Sequence, residues 1–279
     1  MLKQRIVTAI VLLAILLPAL FYRTPTPFCV VALILMAAAA WEWGRLNGGD
    51  QTTAVLLMLA CSGLCALSWY LGLLEKPLPL LWGLVGAAWV LAGAWLLRHG
   101  VPGWSRLPKT LRLGAGLTML WLAWLAVAQA RVAGISFLLS VLVLVWVADI
   151  FAYFAGRTLG GRFSKAKLAP SISPGKSWEG VWGGMAGVLA VSLIWATLEG
   201  VQGGSLYARL WTRHGVMLML LAVVFLAAMS VVGDLVESLV KRSAGAKDSS
   251  GLLPGHGGVL DRVDALLPTL PLAMMLASF

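Results

Sequence analysis

The stretch Ile135-Ser-Phe-Leu-Leu-Ser140-Val-Leu-Val-Leu-Val145-Trp-Val-Ala-Asp149-Ile-Phe-Ala-Tyr153-Phe-Ala155 decides the fold class. Its 21 residues hold one charged side chain, and about 20 apolar residues are enough for a helix to cross the hydrocarbon core of a bilayer. Leu, Val and Ala run continuously instead of alternating, which suits a helix and not a strand of a membrane barrel. Working outward, further apolar segments run roughly Ile6–Tyr22, Pro27–Trp41, Thr53–Leu74, Leu78–Leu97, Gly114–Ala130, Glu179–Leu198, Gly215–Val236 and Ala265–Phe279, the second and last of them short. The chain of 279 residues is 60% hydrophobic and 11% charged, with a mean hydropathy of +0.91, which excludes a water-soluble globule. The predicted fold is therefore all-α, a polytopic integral membrane protein with about nine transmembrane helices.

Charge sets the expected orientation. Placing the N-terminus in the cytoplasm puts 16 of the 21 Lys and Arg on the cytoplasmic side and leaves Arg23, Lys76, Arg131, Arg209 and Arg213 on the other. The first segment follows Lys3 and Arg5 and imitates a signal peptide, but no small-x-small cleavage site follows, so it reads as a retained helix. The net charge of +10 is that of positive-inside loops and implies no nucleic acid. Cys29, Cys61 and Cys65 lie in apolar stretches without a nearby His, so neither a disulfide framework nor a metal site is expected of them. His99 and His214 stand alone at loop ends.

Acidic residues concentrate late: Asp149, Glu179, Asp234, Glu237, Asp248, Asp261 and Asp264 all follow residue 148. Residues 1–130 are accordingly expected to be scaffold with lipid or oligomer contacts, a homodimer being left open. Residues 131–279 are expected to form the catalytic region, with cytoplasmic loops 156–178 and 241–264.

Four constellations can carry chemistry. Asp149 sits near the cytoplasmic end of the sixth span, where a carboxylate is expensive, and shares a helix face with Tyr153 and Gly156. Asp234, Glu237, Ser238 and Lys241 form a stripe at the end of the eighth span, although a plain Glu237–Lys241 pair would give the same pattern. The Gly-rich loop from Ser243 to Leu260 holds Lys247-Asp248 and Pro254-Gly255-His256-Gly257-Gly258, where glycines let amides approach phosphate oxygens. Asp261 and Asp264 then stand at i,i+3, close enough to share a divalent cation such as Mg2+, with helix-dipole stabilisation as the bland alternative. In Ser171-Ile-Ser173-Pro-Gly175-Lys176-Ser177-Trp-Glu179-Gly180, the Gly-Lys-Ser triplet is not a Walker A loop, because Pro170 replaces its first glycine and no strand is expected before it. What remains is a hydroxyl-rich loop with Lys176 at a helix start, suited to phosphate.

The 27 residues from Ser238 to Asp264, with Lys241-Arg242, Lys247-Asp248, Pro254-Gly-His256-Gly257-Gly258 and Asp261-Arg262-Val-Asp264, resemble the signature of the phosphatidate cytidylyltransferase family. Ala148-Asp149, Tyr153, the Ser173–Gly180 segment and Trp41-Glu42-Trp43 also resemble its bacterial members; Ser177 stands where the family often has Thr and keeps the hydroxyl. The resemblance implies an inner-membrane enzyme with its site on the cytoplasmic side, making CDP-diacylglycerol and pyrophosphate from CTP and phosphatidic acid with Mg2+, a second cation being left open. Asp234 and Asp261 are the first choices as metal ligands, Asp264 and Asp149 the second. Lys176, Lys241, Arg242, Lys247 and Arg262 are assigned to the substrate phosphates, and Asp248 and Glu237 to orienting them. His256, Gly257 and Gly258 are expected to shape the pyrophosphate pocket, with Tyr153, Ser173, Ser177 and Ser238 contributing hydroxyls. The alternatives are a related CTP-dependent lipid kinase or cytidylyltransferase and a cation-coupled transporter; the latter would more often place its acids mid-membrane and show a repeat.

Overall fold

Unbroken apolar runs become helix, and the breaks fall at glycines, prolines and capping side chains. The computed structural model describes residues 2–200 and 202–279. Its elements are α1 (Leu2–Phe21), α2 (Thr26–Leu46), α3 (Gln51–Tyr70), α4 (Pro79–Arg106), α5 (Lys109–Ala133), α6 (Ile135–Leu159), β1 (Lys167–Ala169), β2 (Ser173–Ser177), α7 (Trp178–Glu199), α8 (Leu206–Ser243), α9 (Leu260–Val263) and α10 (Leu266–Ser278). Among the described residues eight helices, α1 to α8, are long and apolar enough to span a membrane. The ninth expected segment is α10, with 13 residues, about 20 Å at 1.5 Å per residue and shorter than a hydrocarbon core.

Helix starts follow the capping chemistry of the sequence. Asp50, Ser177 and Ser205 accept from the amides of Thr53 (2.9 Å), Gly180 (3.2 Å) and Ala208 (3.1 Å). Gly100 and Gly215 leave helical geometry inside α4 and α8, so the expected eighth span from Gly215 is the longer arm of a kinked helix.

Side-chain hydrogen bonds sort the loops into two ends of the bundle. At one end Thr8 Oγ1 donates to Pro254 O (2.9 Å), Lys109 Nζ to Gly48 O (2.6 Å), Trp104 Nε1 to Asn47 Oδ1 (3.1 Å) and Arg242 Nε to Ile172 O (3.3 Å). At the other, Arg131 Nε donates to Leu20 O (3.0 Å), Gln129 Nε2 to Lys76 O (2.9 Å), Arg209 Nη2 to Ala133 O (2.8 Å) and Arg213 Nη1 to Ala277 O (3.1 Å). The residues expected to be the minority of the basic charge thus gather at the second end. Ala277 lies there too, so α10 runs from one end toward the other.

The core centres on α5, where Ala123, Trp124, Leu125 and Ala126 are fully buried, whereas α1 exposes Ile6, Val7 and Ile10. Gly183, Gly184 and Gly187 of α7 lie against Ala155, Ala148 and Phe151 of α6, a close approach that small residues permit. This packing brings Asp149 and Tyr153 beside the start of α7. The segment expected to be an irregular loop instead contains an antiparallel pair, with Lys167 opposite Ser177 and Ala169 opposite Ser173. Its apolar anchor is Ile172, buried in an otherwise polar stretch.

Candidate active site

A cavity of about 560 Å³ opens between α6, β2, α7 and α8. Its polar lining is Asp149, Tyr153, Arg157, Lys176, Ser177 and Asp234; its apolar lining includes Ala148, Ala152, Met185, Ala227 and Val231. The lining thus offers groups for charged oxygens together with apolar surface for hydrocarbon. Lys176, the last residue but one of β2, points at α8, where its Nζ donates to Asp234 Oδ2 at 2.5 Å. Ser238, one turn on, donates to Asp234 Oδ1 at 3.3 Å. Arg157 Nη1 donates to the Tyr153 hydroxyl at 2.8 Å, which holds the guanidinium on the cavity's rim. Ser177 caps α7 and so lies beside free helix N-terminal amides.

A second network lies next along α8. Lys241 Nζ pairs with Glu237 Oε2 at 2.6 Å and with Asp261 Oδ1 at 2.5 Å. Asp261 Oδ2 accepts from Ser249 N (2.9 Å), Ser249 Oγ (2.8 Å) and Gly258 N (2.7 Å). Burial pushes the Asp261 carboxyl up, but the bonds from Lys241 and from the Gly258 and Ser249 amides outweigh it and bring it down to about 2. Glu237 Oε1 is buried without a hydrogen-bond partner among the described residues. Asp264 behaves oppositely to Asp261: burial, then the charge of Asp234, push its carboxyl well above the usual range, although the Ala265 amide bonds it at 2.7 Å. Gly233 allows this approach, since a Cβ there would sit 2.5 Å from Asp264 O and 2.8 Å from the Pro268 ring.

The expected residues therefore divide. Asp149, Asp234 and Lys176 share the cavity, with Asp264 in electrostatic reach of Asp149 and Asp234; both oxygens of Asp234 accept from Lys176 and Ser238, whereas Asp261, which does not line the cavity, accepts from Lys241 and the loop amides. Asp261 and Asp264 thus face different surroundings in spite of their i,i+3 spacing. Arg242 ties the hairpin to the following loop through Ile172 O and Ala246 O, and Arg262 Nη2 donates to His256 O at 2.6 Å. Lys247 and Asp248 are exposed, and His256 keeps a buried Nδ1 without a partner among the described residues. Gly257, at φ 84°, closes a bridge to Leu253, and Ser173 pairs with Ala169 in the hairpin.

Two glutamates were given no role from sequence. Glu179 accepts from the amides of Phe163 (3.1 Å) and Ser164 (2.7 Å), and Glu42 reaches the Gly-rich loop from α2. The available signal for Glu42 was a carboxylate between two tryptophans, one residue past the expected end of the second apolar segment.

Among the described residues no three of His, Cys, Asp and Glu form a ready-made metal cage. Mg2+ commonly binds through one or two carboxylates completed by substrate phosphates, and the hard oxygens of Asp149 and Asp234, which both line the cavity, fit that mode.

The family model described as the cytidylyltransferase family matches residues 3–279. A protein of Pseudomonas aeruginosa named phosphatidate cytidylyltransferase is 40% identical over 283 residues, covering 97% of this chain and 95% of that one. Proteins of the same name from Haemophilus influenzae and Brucella abortus are each 37% identical, over 97% and 95% of this chain and 96% and 89% of theirs. With a match that spans all its helices and both site loops, the chain belongs to the cytidylyltransferase family.

Proposed function

We propose that the protein transfers CMP from CTP to phosphatidic acid, giving CDP-diacylglycerol and pyrophosphate, in the bacterial inner membrane with its site on the cytoplasmic side. The observation that carries this is a cavity lined by both charged and apolar side chains, the chemistry that a substrate with a phosphate head and acyl tails requires. The names of the relatives agree with it.

A phosphatidate oxygen attacks the α-phosphorus of CTP; the bond from that phosphorus to the bridging oxygen breaks, and pyrophosphate leaves with the electron pair. The nucleophile is already anionic, so no strong base is needed. The barrier lies in bringing two polyanions together, and preorganised positive charge lowers it. Lys176 and Arg157 supply that charge on the cavity wall, and the amides at the start of α7 add a positive dipole end. Lys241, held by Glu237 and Asp261, keeps the neighbouring loop in place. Asp149 and Asp234, with Asp264 nearby, would hold a divalent cation. Bound there, the cation would neutralise phosphate oxygens and orient the leaving group.

The test is pyrophosphate release and CDP-lipid formation by purified protein in detergent, with CTP, Mg2+ and phosphatidic acid, beside Asp234→Asn. Lipid-dependent product that vanishes with EDTA and falls by at least ~100-fold in the variant supports the reading. No product from folded wild-type protein with any phosphatidate sinks it.

A further inference from the structure

Glu42 is wholly buried near the end of α2, and donors that follow it by more than 200 residues converge on its carboxylate. Oε1 accepts from Ser250 Oγ at 2.5 Å and from Val259 N at 2.9 Å; Oε2 accepts from Leu260 N at 2.7 Å. Ser249 Oγ lies 3.1 Å from Glu42 Oε2 and 2.8 Å from Asp261 Oδ2, so its single proton is shared between the two carboxylates. The Gly-rich loop is thus hung at Ser249-Ser250 and at Val259-Leu260, the two ends of its segment 249–260, on one side chain from the opposite half of the chain.

The post itself is rigid. Trp43, next in sequence, is buried, packs edge-on against Trp104 at 5.7 Å and donates to Arg112 O at 2.9 Å. The loop is the reverse: it carries Gly251, Gly255, Gly257 and Gly258, with positive φ at Gly255 and Gly257, and such a segment loses much backbone freedom on ordering. Its own internal bonds include the Leu253–Gly257 bridge, which leaves the Ser249–Ser250 and Val259–Leu260 ends to be held from outside. At Gly258 any Cβ would collide with Ser249 Oγ and Glu42 Oε1, so the loop is shaped to this carboxylate.

We propose that Glu42 is a positioning residue for cytidylyl transfer, acting through loop 249–260 to set Asp261 and, through it, Lys241. The inference rests on the function proposed above. Glu42 touches no cavity-lining group, so its effect should fall on turnover more than on substrate binding. It also gives the N-terminal helices a part in the site that their apolar composition does not disclose.

Glu42→Gln keeps the shape but turns one acceptor oxygen into a donor that faces donors. The variant is compared with wild type for kcat, for KM of CTP and phosphatidic acid, and for hydrogen exchange at the amides of Ser249, Val259 and Leu260. Expected are a kcat lower by roughly ten- to hundredfold, the cost of misplacing a reacting group by about 1 Å, KM values within about twofold, and faster exchange confined to those amides. A merely structural role would lower the unfolding temperature with kcat per folded molecule unchanged, and that result overturns the proposal. So does unchanged exchange with wild-type turnover. Should Glu42→Gln not fold, Ser250→Ala removes one donor only and is expected to lower kcat several-fold; wild-type kcat and exchange in it overturn the proposal. Absence of product from the wild type would instead strike the proposed function, and the exchange comparison would still decide whether Glu42 holds the loop.

Discussion

Lys241 is the side chain on which the most buried charge depends. Its ammonium lies between Glu237 and Asp261, whose side chains are 2% and 6% exposed. Removing one partner from such a group leaves uncompensated charge in a dry setting, at about 3–5 kcal/mol. Lys241→Met is therefore expected to lower the thermal unfolding temperature in detergent strongly, and Lys241→Met with Glu237→Gln to recover part of the loss. Lys176 contrasts with it. Its ion pair to Asp234 is partly exposed, so Lys176→Met should leave the unfolding temperature nearly unchanged while kcat/KM falls by about 100-fold, the scale of losing one charge-stabilising group. The sequence made this stripe legible because the 3.6-residue repeat puts Asp234, Glu237, Ser238 and Lys241 on one face. It also offered the i,i+4 pair of Glu237 with Lys241, which forms at 2.6 Å, but not the pairing of Lys241 with Asp261 or of Lys176 with Asp234, which lie 20 and 58 residues apart.

Among the elements, the spans were legible from run length and hydropathy alone, because a helix in lipid needs nothing beyond its own backbone bonds and an apolar surface. The β1–β2 hairpin was not. Ser173-Pro-Gly-Lys-Ser177 has no alternation of apolar residues, and only the burial of Ile172 and the bond from Arg242 reveal why it pairs. Helix α9 likewise has only four residues and is organised from outside itself, by Glu42. Close packing at glycines makes these elements sensitive to single methyl groups. Gly233→Ala should cost about 1–3 kcal/mol, the usual effect of overpacking, seen as a lower unfolding temperature, because α8 would be pushed off Asp264 O and Pro268.

For the whole molecule, the two bundle ends and the charge carried by each make orientation testable. Cys29, Cys61 and Cys65 are all buried, so the background for thiol labelling is low. Glu75→Cys and Lys165→Cys stand exposed at opposite ends. A membrane-impermeant maleimide is expected to label Glu75→Cys in intact cells and Lys165→Cys only after the membrane is opened; the reverse pattern would invert the proposed topology. Composition, run length and the spread of Lys and Arg determined on their own that the chain is a helical membrane protein with its basic loops grouped, because those properties depend on local sequence and on the solvent. The polar signature after residue 237 likewise pointed to its family unaided. What only the tertiary structure decided is that Lys241 meets Asp261 and Lys176 meets Asp234, that Asp261 accepts from the loop amides while Asp234 lines the cavity, and that Glu42 from the second helix bonds a loop more than 200 residues away. Burial and hydrogen-bond geometry between distant segments leave no periodic trace in the chain, so only the packed bundle shows them.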